Sequence, residues 1–456
     1  MAVAVTLLTG GNGPLLASAT TGPDLAAAGY LEREYLVEGV AGNYRMVGPQ
    51  SPDGRVEYEK GSETSPFATR AIVRRPAEAA RSNGTLVVEW LNVSGGQDAG
   101  PGYTYLAAEL VRGGYTWVGV SAQYAGVMGG AAAVPLSDGE PAESRGGPAA
   151  FDPVRYQRLH HPGDAYSYDI FSSVARGLRD PAGPLGDLPI TRVVATGESQ
   201  SAVALCSYHN GIQPLTDLFD AFLIHSRGGA VAPLGEPGRA LTIDEVLDGP
   251  PTRLRDDLTV PTVVVQTETD LFGRLAYLPA RQADSTWLRV WEIAGTAHAD
   301  KFQIGEFEPI LGCPRPVNRG QQVFVLRAAL RALDRWVSDG TAAPSAPCLD
   351  IATGDGEPEF ARDEWGNVTG GVRTPAVDVP TTTLSGLPAP DASLICSLFG
   401  STEPIAAQRL RARYGSADAY LRQYAAATDA MIAAGFALVE DRDELLGQAE
   451  PAALDG

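Results

Sequence analysis

A chain of 456 residues that is 44% hydrophobic and 20% charged can bury a large core, as two or three domains or as one elaborated domain; its composition excludes intrinsic disorder and collagen-like repeats. Asp plus Glu number 55 against 35 Lys plus Arg, a formal net charge of −20, and so acidic a surface repels phosphate backbones and anionic lipid, which argues against nucleic-acid and membrane partners. No apolar run reaches the roughly 18 residues of a membrane helix, and the N-terminal MAVAVTLLTGGNGPLL has no basic residue ahead of its short, Gly-broken apolar run; a cytoplasmic protein is expected.

The first clear element is residues 67–75 (FATRAIVRR), whose alternation suits a half-exposed strand. Residues 85–91 (TLVVEWL) form a nearly continuous apolar run, the pattern of a strand covered on both faces. A helix over about 103–112 and a second buried strand at 115–121 follow. Residues 125–150, rich in Gly, Ala and Pro, read as a long loop of the kind that often serves as a lid. Asp164 is placed to cap the helix of AYSYDIFSSVARGLR. Further strands are expected at 192–196, 220–226, 261–266 and 287–293, and an amphipathic helix at 321–337. Strands alternating with helices predict an α/β fold, a mostly parallel sheet with helices on both faces. The core is expected to span 1–340, with a loop insertion near 125–160. Residues 341–395 are loop-rich and 404–447 read as two or three helices; with too few strands for a sheet of its own, 341–456 is expected to wrap the core.

The four cysteines (Cys206, Cys313, Cys348 and Cys396) are far apart in sequence, and no CxxC or Cys/His cluster predicts a metal site. Free buried thiols are the simpler reading, with a Cys313–Cys348 pair left open. No P-loop and no G-x-G-x-x-G after a strand appears, so a nucleotide-dependent enzyme lacks support and no cofactor is expected.

The chemistry concentrates in RVVATGESQSAVALC, where a buried strand runs into Gly197-Glu198-Ser199-Gln200-Ser201 and a helix begins at once. A serine at such a turn stands clear of the sheet, and the helix start offers N–H groups and a positive dipole end to a developing oxyanion. Close backbone packing requires small residues two before and two after it, met by Gly197 and Ser201. With five histidines, the base is found by elimination. His209 is already on the following helix, and His160 and His161 follow no late strand. His225 ends a strand and suits a pocket wall. His298 follows the last strand in a Gly-containing loop and is the preferred base, with His225 second. The acid that orients it is expected from QTETD, with Asp270 preferred to Glu268 because it sits where the loop leaves the strand. Backbone N–H groups near Asn92 or Val93, together with that of Gln200, are the expected oxyanion donors. His225, Arg227 and Phe272 are candidate substrate contacts, although a structural ion pair is the commoner use of an arginine such as Arg227.

The order Ser199, Asp270, His298, the elbow and the strand pattern resemble the serine α/β-hydrolase superfamily. VVEWLNVSGG, HPGDAYSYDIF, TGESQSA, QTETD and GNVTGGVRTP are similar to a bacterial group of α/β-hydrolase-domain proteins, over most of the chain. The resemblance implies the α/β-hydrolase fold and a Ser/His/acid mechanism on a small-molecule ester or lactone, without a cofactor. Ser201 departs from the usual glycine. Thioesterases, C–C hydrolases and acyltransferases share the triad, and a binding protein on an inactive scaffold is the reading from another class.

Overall fold

A computed structural model describes residues 3–17, 22–133, 144–352 and 356–455. The described residues form two compact units: one takes those up to Thr262 together with Arg274–Trp287, the other Val263–Gly273 and those from Leu288 onward.

The first unit is built on strands β1 (Ala4–Leu7), β2 (Tyr30–Val47), β3 (Glu57–Pro76), β4 (Thr85–Trp90), β5 (Thr116–Val120), β6 (Arg192–Glu198) and β7 (Ala221–His225), ordered β1-β2-β3-β5-β4-β6-β7. β4 pairs in parallel with β5 and β6, and β6 with β7, while β1, β2 and β3 add an antiparallel arm beyond β5. Every residue of β4, β5 and β7 is buried, which is why these segments are mostly apolar, β4 with the single buried charge of Glu89.

The half-exposed strand expected at 67–75 is instead buried from Phe67 to Arg74. Its alternating arginines are partnered rather than solvated. Arg70 donates to Asp98, Glu34 and the Leu15 carbonyl, and Arg74 pairs with Glu32 and lies over the Tyr103 ring. Polar–apolar alternation thus gave the right element with the wrong exposure.

The stretch 125–150 also carries more structure than a loop. A short helix at Tyr124–Met128, a hairpin of Gly129–Ala131 with Ser144–Gly146, and a turn of helix at Pro148–Phe151 occupy its described part; 134–143 lie outside the described residues. Asp164 makes no side-chain cap to the helix Ser167–Leu178. Its carboxylate accepts from Tyr124 N, Ser167 Oγ and Leu241 N, tying three segments together.

The second unit carries β8 (Thr262–Thr267) and β9 (Leu288–Ile293), hydrogen-bonded neighbours, followed by the helix Gln322–Asp339. Its extension lies against them. Val372 pairs in parallel with Ile293, Leu349 N donates to Glu292, and Trp291 meets the Phe436 ring and donates to the Pro344 carbonyl. Arg327 on the long helix reaches Asp441 and Glu444. Three helices, Ala407–Tyr414, Ala417–Ala433 and Arg442–Leu446, stand where two or three were expected.

The cysteine reading is corrected here: Cys313 bonds to Cys396, not to Cys348, while Cys206 is a buried thiol. Eighty-three residues separate the bonded pair, too far for spacing alone to reveal it. Closing so long a loop restricts the unfolded chain, so Cys396→Ser is expected to lower stability by about 2–4 kcal/mol. Urea unfolding of the two proteins without reductant measures it; equal midpoints would contradict the bond. Among the described residues no helix is long and apolar enough to cross a membrane.

Candidate active site

In the first unit, β6 ends at Glu198 and the helix Gln200–Ser207 begins at Gln200, leaving Ser199 alone in the turn with φ 61° and ψ −123°. Positive φ is costly for a residue with a Cβ and persists only where the surroundings impose it. They do so here through three bonds: Ser199 N donates to the His225 carbonyl at 3.0 Å, Val203 N to the Ser199 carbonyl, and the Asn92 side-chain amide to the Glu198 carbonyl at 2.9 Å. A Cβ on Gly197 would stand 3.1–3.2 Å from Ser201 and Leu205, so the glycine keeps strand and helix close. Ser201 fits in place of glycine because its hydroxyl turns back to the Glu198 carbonyl at 2.8 Å.

Of the three expected oxyanion donors, Asn92 is corrected. Its N–H already donates to the Ala99 carbonyl at 2.9 Å, and its side chain bridges the elbow and Ser94 N instead. Val93 N and Gln200 N have no acceptor among the described residues. Gln200 is further fixed by a bond to Gln123, which also accepts from Trp90, two contacts absent from the sequence reading.

Arg227 is corrected too. It is buried, and its guanidinium donates to the carbonyls of Gly228, Gly229 and Thr252 beneath the Tyr277 ring, so it braces a loop and is not open to substrate. His225 is buried edge-on to the Tyr105 ring and serves the elbow through its carbonyl. His161 has both ring nitrogens engaged, by the Ala122 carbonyl and Gly163 N. Burial, with the charges of Arg255 and Arg227, brings His209 down to about 4, against which its bond to Asn210 acts.

In the second unit, β8 leads into a single helical turn, Glu268–Leu271, capped reciprocally by Thr267 and Asp270. Asp270 Oδ2 accepts from Thr267 N and Oγ1 at 2.7 and 2.9 Å, which leaves Oδ1 facing His298 Nδ1 at 2.7 Å. The carboxylate is fully buried and held by its own turn, so it fixes which nitrogen of His298 carries the proton. The T-x-x-D spacing that produces this cap is visible in the sequence and is the signal that separates Asp270 from its neighbour. Glu268 does not reach the histidine ring through any of its described bonds; its carboxylate accepts from Gly295 N and Gly386 N at 2.6 and 2.9 Å. Phe272, partly exposed, stacks edge-on against Phe360.

Burial pushes the Glu268 carboxyl up to about 7, against the lowering effect of the Gly386 and Gly295 amides and of Arg362 and Arg373. A carboxyl raised on folding contributes stability that is complete below its ordinary value of 4.5 and is lost as the pH rises through about 7. Glu268→Gln cannot ionise and is expected to gain on the native chain between about pH 5 and about pH 8. Urea midpoints of both proteins across that range read the trend; a difference that does not change with pH would contradict it.

Among the described residues no group of His, Cys, Asp and Glu is arranged to hold a metal ion. The family model described as "Alpha/beta hydrolase domain" matches residues 4–447. The chain belongs to that family. It is similar in structure to an α/β serine hydrolase without a lid from Xanthomonas campestris, at TM-score 0.28 and 12% identity over 59% of this chain and 91% of the other. A fungal esterase from Rhizomucor miehei gives 0.31 and 11% over 66% and 85%; Est1E of Butyrivibrio proteoclasticus, with ferulic acid bound, gives 0.30 and 12% over 54% and 92%. Comparison with curated proteins finds no match.

Proposed function

We propose that the protein is a serine hydrolase that cleaves a small carboxylic ester or lactone through an acyl-enzyme. The observation that carries this reading is Ser199, a non-glycine residue held at positive φ between a buried strand and the start of a helix. Ser199 Oγ attacks the substrate carbonyl while His298 takes its proton. With Nδ1 committed to Asp270, Nε2 is the nitrogen that receives the proton and later hands it to the leaving alcohol. The N–H groups of Val93 and Gln200 stabilise the tetrahedral oxyanion. Water then releases the acid and restores Ser199.

The Cys313–Cys396 bond favours an oxidising compartment over the expected cytoplasm, since disulfides rarely persist in reducing surroundings. Turnover of p-nitrophenyl esters of graded chain length tests the activity, with Ser199→Ala as the control. Hydrolysis that depends on Ser199 supports the reading; full turnover by Ser199→Ala ends it.

A further inference from the structure

The turn after β8 has three consecutive side chains, and all three engage the loop that carries His298. Glu268 N donates to the Thr296 carbonyl, and Glu268 Oε1 accepts from Gly295 N. Thr269 Oγ1 accepts from the backbone N–H of His298 itself at 3.1 Å, and Asp270 takes the ring. Two of these groups also face away from the histidine loop, toward one residue of the extension. Gly386 N donates to Glu268 Oε2 at 2.9 Å, and the Gly386 carbonyl accepts from Thr269 Oγ1 at 2.5 Å.

The fit at Gly386 leaves no room for a side chain. An added Cβ would lie 2.4 Å from the Thr296 carbonyl oxygen, 2.5 Å from Glu268 Cβ and 2.8 Å from Thr269 N. A second tie runs beside the first, since the Asn318 amide donates to both the Gly295 and Ser385 carbonyls. Further along, Ala299 N donates to the Leu398 carbonyl. The histidine loop is thus bonded on one side to the turn that supplies its acid and on the other to the extension.

We propose that Glu268 and Thr269 are positioning residues which, closed by Gly386, make the C-terminal extension set the register of His298 against Asp270. The inference rests on the serine-hydrolase reading and adds a role for the acid that sequence alone left as an alternative orienter. A hydroxyl at 269 is needed because it must donate to Gly386 and accept from His298 at once, which valine, of the same shape, cannot do. Glutamine at 268 meets two N–H donors with only one acceptor oxygen.

The test is steady-state kinetics of the full chain on its best p-nitrophenyl ester, with fluorophosphonate labelling rates and circular dichroism, for Thr269→Val, Thr269→Ser, Glu268→Gln and Gly386→Ala. Displacing a base by a fraction of an ångström is expected to lower kcat and the labelling rate by about 10–100-fold, while KM stays within about twofold. Thr269→Ser, which keeps the hydroxyl, is expected to remain within about threefold of native. Should Thr269→Val fail to fold, the isosteric Glu268→Gln decides. Folded variants with native kcat, or with a loss confined to KM, would overturn the clamp. Ser199→Ala separates the two levels: if it is dead while the clamp variants are fully active, only the clamp is wrong, and if it retains turnover the hydrolase reading is wrong.

Discussion

Asp270→Asn is expected to lower kcat by about 10⁴-fold with KM little changed. The carboxylate works with both oxygens as acceptors, one for Thr267 N and Oγ1, the other for His298 Nδ1. An asparagine must turn its NH₂ toward one of these. Toward Thr267 it faces a donor and loses the cap that holds the turn. Toward His298 it donates to Nδ1, which drives the ring proton onto Nε2 and leaves no base for Ser199. Either outcome disables the histidine without touching the substrate, which is why the loss should appear in kcat. Glu268→Gln, two residues away in the same turn, should cost far less. Equal losses at the two positions in folded proteins would contradict the assignment of Asp270 as the orienter.

Ending the chain at residue 340 is expected to abolish both cooperative folding of the second unit and ester turnover, the latter by at least about 10³-fold. The extension covers Trp291 and Ile293 on β9, and Phe399 shares a buried cluster with Ala299, Leu311 and Val317. Exposing a large apolar side chain costs about 1.5–3 kcal/mol. Four such residues approach the whole stability of an ordinary domain, about 5–15 kcal/mol. Truncation also removes Cys396 and Gly386, and with them the disulfide and the clamp. We propose on this ground that 341–456 wraps the core rather than forming an independent module, although its helices also share a cluster of their own around Leu410, Tyr420 and Tyr424. Limited proteolysis and activity of a 1–340 chain decide the point. A soluble, active 1–340 protein, with a stable C-terminal fragment released, would show the extension to be autonomous.

Much of this was legible before any coordinates. Buried strands at the centre of the sheet announce themselves by short apolar runs such as Leu86–Val88 and Val263–Val265, and the elbow announces itself as a strand, a glycine, a serine and a helix without a break. Elimination among five histidines is equally local in its logic. What escaped was set by distant partners. Arg70 and Arg74 look exposed until Glu34, Asp98 and Glu32 are brought to them. Nothing near Cys313 points across 83 residues to Cys396. Asn92 was expected to donate through its backbone, but that N–H is taken by Ala99, and only the fold shows its side chain reaching the elbow. The preference for Asp270 over Glu268 had a local signal in the T-x-x-D spacing, but the partners that occupy Glu268, Gly295 and Gly386, lie far along the chain. The cap with Thr267 and the amide of Gly386 are what distinguish the two acids.

The central claim is that Ser199 is a nucleophile activated by His298. It is tested most directly by treating the native protein and His298→Asn with a fluorophosphonate and locating the adduct by peptide mass spectrometry. The account predicts stoichiometric labelling of Ser199 alone in the native chain, slowed by about 10³-fold or more in His298→Asn. An adduct on another residue, or ester hydrolysis that continues while Ser199 stays unlabelled, would contradict it.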